Sequence, residues 1–143
     1  MRILVDANLL ISLILAAPRH STMQEVVELH GQHHSIQIFV GEATLREVRE
    51  SIQRKPDLTQ RVPEATLDRI LVSLAEGSIL LPDVHTTNVY TRDPDDDYLI
   101  ELMLRYHLDV LVTGDKHLQS LNGRYGFYVL SPANLLAFVK ELL

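Results

Sequence analysis

The chain has 143 residues, room for one domain, and its 46% hydrophobic and 22% charged residues describe a folded globular chain, not a disordered one. It has no cysteine, which excludes disulfides, thiolate metal sites and a cysteine nucleophile, and its 6% aromatic content argues against recognition by base stacking. With 13 Lys plus Arg against 19 Asp plus Glu, the formal charge is -6, so a nucleic-acid function would require these acids to be neutralised locally.

The first elements are short and apolar. Arg2 to Val5 predicts a buried strand. Leu9, Leu10, Leu13 and Ile14 then share one helical face, closed by Pro18. Asp6 and Asn8 interrupt this opening, which therefore lacks the unbroken apolar run of a signal peptide. No window reaches the roughly 20 apolar residues of a membrane span, and a cytoplasmic location is expected. Ser21 is a candidate N-cap for a helix carrying Met23, Val26, Val27 and Leu29, which fades into the polar stretch from Gly31 to Ser35.

Ile36 to Val40 predicts a second strand, and Gly41 turns into a helix bearing Leu45, Val48 and Ile52. The segment from Arg54 to Pro63 is expected to be irregular, with Pro56 and Pro63 as breakers. A helix from Glu64 to about Glu76 ends at Gly77, and a short strand from Ile79 to Leu81 stops at Pro82. Asp93 to Asp97 starts a helix that runs to about His107, followed by a strand from Asp109 to Thr113. After Gly114 come a short helical turn, a hairpin-like break at Asn122 and Gly123, and a last strand from Phe127 to Leu130. Pro132 opens a terminal helix to Leu143. Alternating strands and helices predict a three-layer α/β/α fold around a central parallel sheet, as a single domain over residues 1–143.

In such folds ligands bind beyond the carboxyl ends of the strands. Asp6 lies at the tip of the first strand, and Asp115 just past the tip of the strand from Asp109 to Thr113. A lone Asp at such a place is commonly a helix cap; two at equivalent tips fit that role less well. In the helix after Pro94, the stripe Leu99, Ile100, Met103 and Leu104 extends back by three and four residues onto Asp96. Asp93, Asp95 and Asp97 are expected to point elsewhere. Glu47 borders the Leu45, Val48 and Ile52 stripe, where it faces either the sheet edge or solvent, and Glu42 and Glu50 compete with it for an inward position. Carboxylates converging on one cleft raise one another's pKa, and a hard divalent cation such as Mg²⁺ or Mn²⁺ resolves that conflict. The chemistry that uses such a site is phosphodiester hydrolysis.

The chain resembles the PIN-domain family, metal-dependent nucleases that include the VapC-type toxins of toxin–antitoxin pairs. The opening Met-Arg-Ile-Leu-Val-Asp-Ala-Asn resembles its first motif, onto Asp6 and Asn8. Thr44-Leu45-Arg46-Glu47 resembles the second, Asp93-Pro94-Asp95-Asp96 the third, and Thr113-Gly114-Asp115-Lys116 the fourth. Met103 departs from the family's small residue at that place. The resemblance implies that Asp6, Glu47, Asp96 and Asp115 hold Mg²⁺ or Mn²⁺, with Asp97 the alternative to Asp96, and that Asn8 and Thr113 support them. It implies an endoribonuclease acting on RNA, as a homodimeric toxin inhibited by a cognate antitoxin.

Thr113 is expected either to hydrogen-bond within the acid cluster or to cap the turn before Asp115. Arg46 and Lys116 are candidate phosphate contacts. The run His30-Gly31-Gln32-His33-His34 lacks the helical spacing of a zinc hydrolase and reads as a solvated helix end. No glycine-rich nucleotide loop is present. The alternatives are an aspartyl-phosphate phosphohydrolase, whose second acid two residues after the first is Asn8 here, and a non-catalytic binding module.

Overall fold

Five short strands form an entirely parallel sheet in the order β3-β2-β1-β4-β5: β1 (Arg2–Val5), β2 (Gln37–Gly41), β3 (Ile79–Leu81), β4 (Val110–Val112) and β5 (Tyr128–Leu130). The computed structural model describes residues 1–16, 22–32 and 35–142. Pro18, Ser21, His33, His34 and Leu143, to which end and cap roles were assigned above, lie outside the described residues.

Helices cover both faces. Between β1 and β2 run α1 (Ala7–Ala16) and α2 (Thr22–Gln32); between β2 and β3 run α3 (Glu42–Gln53), α4 (Pro56–Arg61) and α5 (Glu64–Gly77). A 3₁₀ turn at Pro94–Asp96 leads into α6 (Asp97–Arg105), α7 (Lys116–Gln119) joins β4 to β5, and α8 (Pro132–Leu142) ends the chain. The two-residue period of β1 divides the core. Ile3 and Val5 pack with Leu10 of α1, Val48 of α3, Leu71 of α5 and Leu135 of α8. Leu4 points the other way, to Leu99, Ile100 and Met103 of α6 and Leu118 of α7. This is the three-layer α/β/α arrangement. Among the described residues, no helix is long and apolar enough to cross a membrane.

Three local expectations change. Arg54 to Pro63 is not irregular: Pro56 sits at the first turn of α4, where its missing N–H costs nothing, and Lys55 C=O accepts from Leu58 and Thr59 N–H. The helix expected to reach His107 ends at Arg105, because His107 adopts a left-handed φ of 51° and Leu108 N–H bonds back to Met103 C=O. At Asn122 and Gly123 the chain makes no hairpin, since β4 and β5 are parallel. Asn122 instead accepts Val129 N–H on Oδ1, and Gly123 supplies a φ of 79°.

Candidate active site

The chain lays β2 and β3 on one side of β1, then crosses to place β4 and β5 on the other. The β1/β4 boundary is thus the point at which an open parallel sheet leaves a crevice beyond its carboxyl edge. The two tips are level: Val5 pairs with Val112, and Asp6 N–H donates to Val112 C=O at 3.1 Å. Asp6 and Thr113 therefore emerge side by side, 4% and 0% exposed.

The Thr113 hydroxyl donates to Asp6 Oδ2 at 2.8 Å and accepts Asp115 N–H at 3.0 Å. It fills both roles that the sequence left open, a bond within the cluster and a brace for the turn. Burial raises the Asp6 pKa most; Thr113 and the N–H groups of Ala7 and Asn8 oppose that, and Asp115 adds to it. Asn8 is exposed, and what it gives Asp6 is its backbone N–H, one of the unpaired donors of the first turn of α1. Asp115 caps α7, its Oδ1 accepting His117 N–H at 2.8 Å.

Of the three acids on α3, Glu42 and Glu50 are exposed and Glu47 is half-buried. Thr44 and Glu47, one helical turn apart, share an inward face. There they meet Tyr98 of α6, whose hydroxyl lies 2.8 Å from Thr44 Oγ1 and donates to the Glu47 carboxylate. Burial raises the Glu47 pKa most, the Tyr98 bond lowers it, and Asp6, Asp95 and Glu50 raise it further. Gly41 makes room for this contact: a Cβ there would stand 3.2 Å from Leu102 Cδ1 and 3.3 Å from Thr44 Oγ1. Neither Thr44 nor Tyr98 was singled out from sequence. The available signal was weak, a threonine one turn before Glu47 and a tyrosine at the start of an apolar stripe.

The Asp93–Asp97 run divides its work. Asp93 Oδ1 caps the 3₁₀ turn by accepting Asp95 N–H at 3.0 Å, and Asp95 is exposed. Asp97 does not face solvent. It is 5% exposed, and its Oδ1 accepts Tyr90 and Thr91 N–H at 3.0 and 2.8 Å, which fastens the preceding loop. Asp96 is the member aimed at the other acids. Among the described residues no donor reaches its carboxylate, and its pKa is pushed up to about 7, by burial first and then by Asp6, Asp93, Asp115 and Glu47.

Four acids from four separate segments thus interact at one edge of the sheet. Their donors are all carboxylate oxygens, which suit Mg²⁺ or Mn²⁺ and no soft metal. Among the described residues, however, no group of three or more His, Asp or Glu side chains is gathered closely enough to hold an ion. Arg46, a candidate phosphate contact, is paired with Asp83 at 2.8 Å, both side chains about half exposed. A cleft of about 280 Å³ opens beside Asp96 and Asp115, between residues 90–93 and the α7 region.

A family model described as PIN domain matches residues 2–117, a span that contains all four acids. The chain belongs to the PIN-domain family, whose members are generally nucleases. No curated protein matches it.

Proposed function

We propose that this PIN-domain chain is a metal-dependent endoribonuclease that hydrolyses RNA phosphodiesters, as one catalytic domain over residues 1–143. One observation carries the proposal: Asp6, Glu47 and Asp96 are driven toward their neutral forms by burial and by neighbouring carboxylates, and among the described residues no Lys or Arg pairs with them or with Asp115. A catalytic cation removes that conflict. Asp6, Glu47, Asp96 and Asp115 would hold Mg²⁺ or Mn²⁺, which when bound polarises a phosphoryl oxygen and lowers the pKa of a coordinated water.

The chain's own groups set how each acid is presented. Thr113 and the α1 N-terminus fix the Asp6 carboxylate against the tip of β1. Tyr98 turns Glu47 inward from α3. Asp96, without a donor among the described residues, has its pKa pushed up to about 7, so its charge changes near neutrality. Asp115 is held by the turn that Thr113 braces, with Oδ1 committed to His117 N–H.

The test is cleavage of labelled RNA by the wild-type protein in Mn²⁺, in EDTA and with Asp6→Asn. Activity should require the metal and disappear in the variant; cleavage that survives in EDTA or in Asp6→Asn overturns the mechanism. Metal binding without cleavage would support the non-catalytic module. Phosphate retained covalently on Asp6 would support the aspartyl-phosphate alternative.

The Asp-Pro-Asp-Asp and Thr-Gly-Asp-Lys segments support a toxin of a toxin–antitoxin pair, a cytoplasmic homodimer restrained by a cognate antitoxin. Induced expression should then arrest growth, and Asp6→Asn should relieve the arrest.

A further inference from the structure

The cleft beside Asp96 and Asp115 has three chemically distinct surfaces. Its lining is acidic at Asp93, Asp96 and Asp115, apolar at Leu118 and Leu121, and basic at Arg92 and Arg124. Both arginines are exposed, and among the described residues neither has an ion pair, whereas Arg46, Arg49 and Arg105 each engage an acid. In a chain of net charge -6, two arginines without an ion pair among the described residues, beside an acidic site, are a local exception.

The walls are braced. Asp97 holds Tyr90 and Thr91, the residues just before Arg92, by their N–H groups. The hydroxyl of Tyr125, the residue next in the chain to Arg124, donates to Tyr90 C=O at 3.0 Å, and the two rings meet edge to face at 5.5 Å. Arg124 lies between left-handed Gly123 and Gly126, and its guanidinium stands 5.8 Å from the Tyr125 ring centroid. Such bracing lowers the ordering cost of binding. The volume of about 280 Å³ lies just below the roughly 300–1,000 Å³ typical of ligand pockets. It fits one nucleotide unit, not a longer stretch of chain.

We propose that this cleft is the subsite for the RNA nucleotide adjoining the phosphodiester at the carboxylates, with Arg92 and Arg124 contacting that nucleotide's distal phosphate and Leu118 and Leu121 lying under its sugar and base. The proposal rests on the nuclease reading for the position of the scissile group. The arginines supply the local attraction that the chain's overall charge denies to RNA. Leu118 and Leu121, 1% and 8% exposed, close the cleft without presenting a hydrogen-bonding pattern, so the subsite selects weakly among bases.

Two measurements test it, on Arg92→Gln, Arg124→Gln, the double variant, the charge-retaining pair Arg92→Lys with Arg124→Lys, and Arg54→Gln as a control at the exposed residue that follows α3. In RNA cleavage with Mn²⁺, the double variant should raise KM about tenfold or more with kcat retained, because contacts made equally in ground and transition states are lost. The salt dependence of KM should flatten by about 0.7 per lost contact. The lysine pair should recover most of the KM, and Arg54→Gln should match wild type. The second measurement needs no turnover: methyl NMR of Leu118 and Leu121 during titration with 5′-UMP and 5′-AMP in Mg²⁺. Both methyls should shift, and the double variant should bind at least tenfold more weakly. Shifts without RNA cleavage would leave the subsite standing and remove the nuclease reading. Cleavage with unmoved methyls, or a double variant within twofold of wild type in KM, overturns the subsite.

Discussion

Removing the Asp96 charge should stabilise the metal-free protein at neutral and alkaline pH. The folded state raises this carboxyl from 3.8 to about 7. A folded pKa above the unfolded one means that the folded chain holds a proton that the unfolded chain has already released. Below about pH 4 both states are protonated and Asp96 costs nothing. Between pH 4 and 7 the cost grows, and above 7 it is fully present. At 1.36 kcal/mol per pKa unit the shift bounds the cost at about 4 kcal/mol. The side chain is only partly buried and solvent screens its neighbours, so about 1–2 kcal/mol is the realistic figure. For a chain of this length each kcal/mol moves Tm by roughly 3 °C. Asp96→Asn should therefore match wild type at pH 4 and melt about 3–6 °C higher at pH 8 in EDTA. The assay is circular dichroism melting from pH 4 to 8, repeated in Mn²⁺, where wild type should gain stability that the variant does not. An Asp96→Asn protein that melts with wild type at every pH, or below it at pH 8, refutes the mutual repulsion from which the site was inferred.

Charge pattern alone predicts the same relief for Asp6→Asn, but the structure gives Asp6 three donors that an amide satisfies poorly; this variant should lose cleavage and melt about 2–4 °C lower in EDTA. Asp95→Asn, at an exposed position, should keep cleavage within about threefold of wild type. Thr113→Val preserves shape but strips both Asp6 and the Asp115 N–H of a buried partner; a loss of about 2–3 kcal/mol in urea unfolding is expected, and a loss under 0.5 kcal/mol would contradict the bonding described. Tyr98→Phe keeps the ring and removes the donor to Glu47, so kcat should fall about tenfold at constant KM while Tm drops by only a few degrees.

The layer order and most elements were written in the chain itself. The apolar runs at Arg2–Val5 and Ile79–Leu81, stopped by Asp6 and Pro82, are too short for helices, and amphipathic stretches between strands commit an α/β chain to a parallel sheet. Asp6, Asp96 and Asp115 were visible because each occupies a position defined by local periodicity, a strand tip or a helix start. Glu47 was not decided that way; one helical turn from Thr44 admits either exposure or burial, and Tyr98, 51 positions later, fixes the outcome. What Asp97 binds was hidden for the same reason, since its donors belong to a loop whose path depends on how α6 packs. The paired arginines of the cleft, at 92 and 124, have no periodic relation at all. Local propensity and hydrophobic spacing act over a few residues and so can be read along the chain, whereas which distant side chains share a hydrogen bond or a cleft is settled only when the β1/β4 crossing and the docking of α6 bring them together.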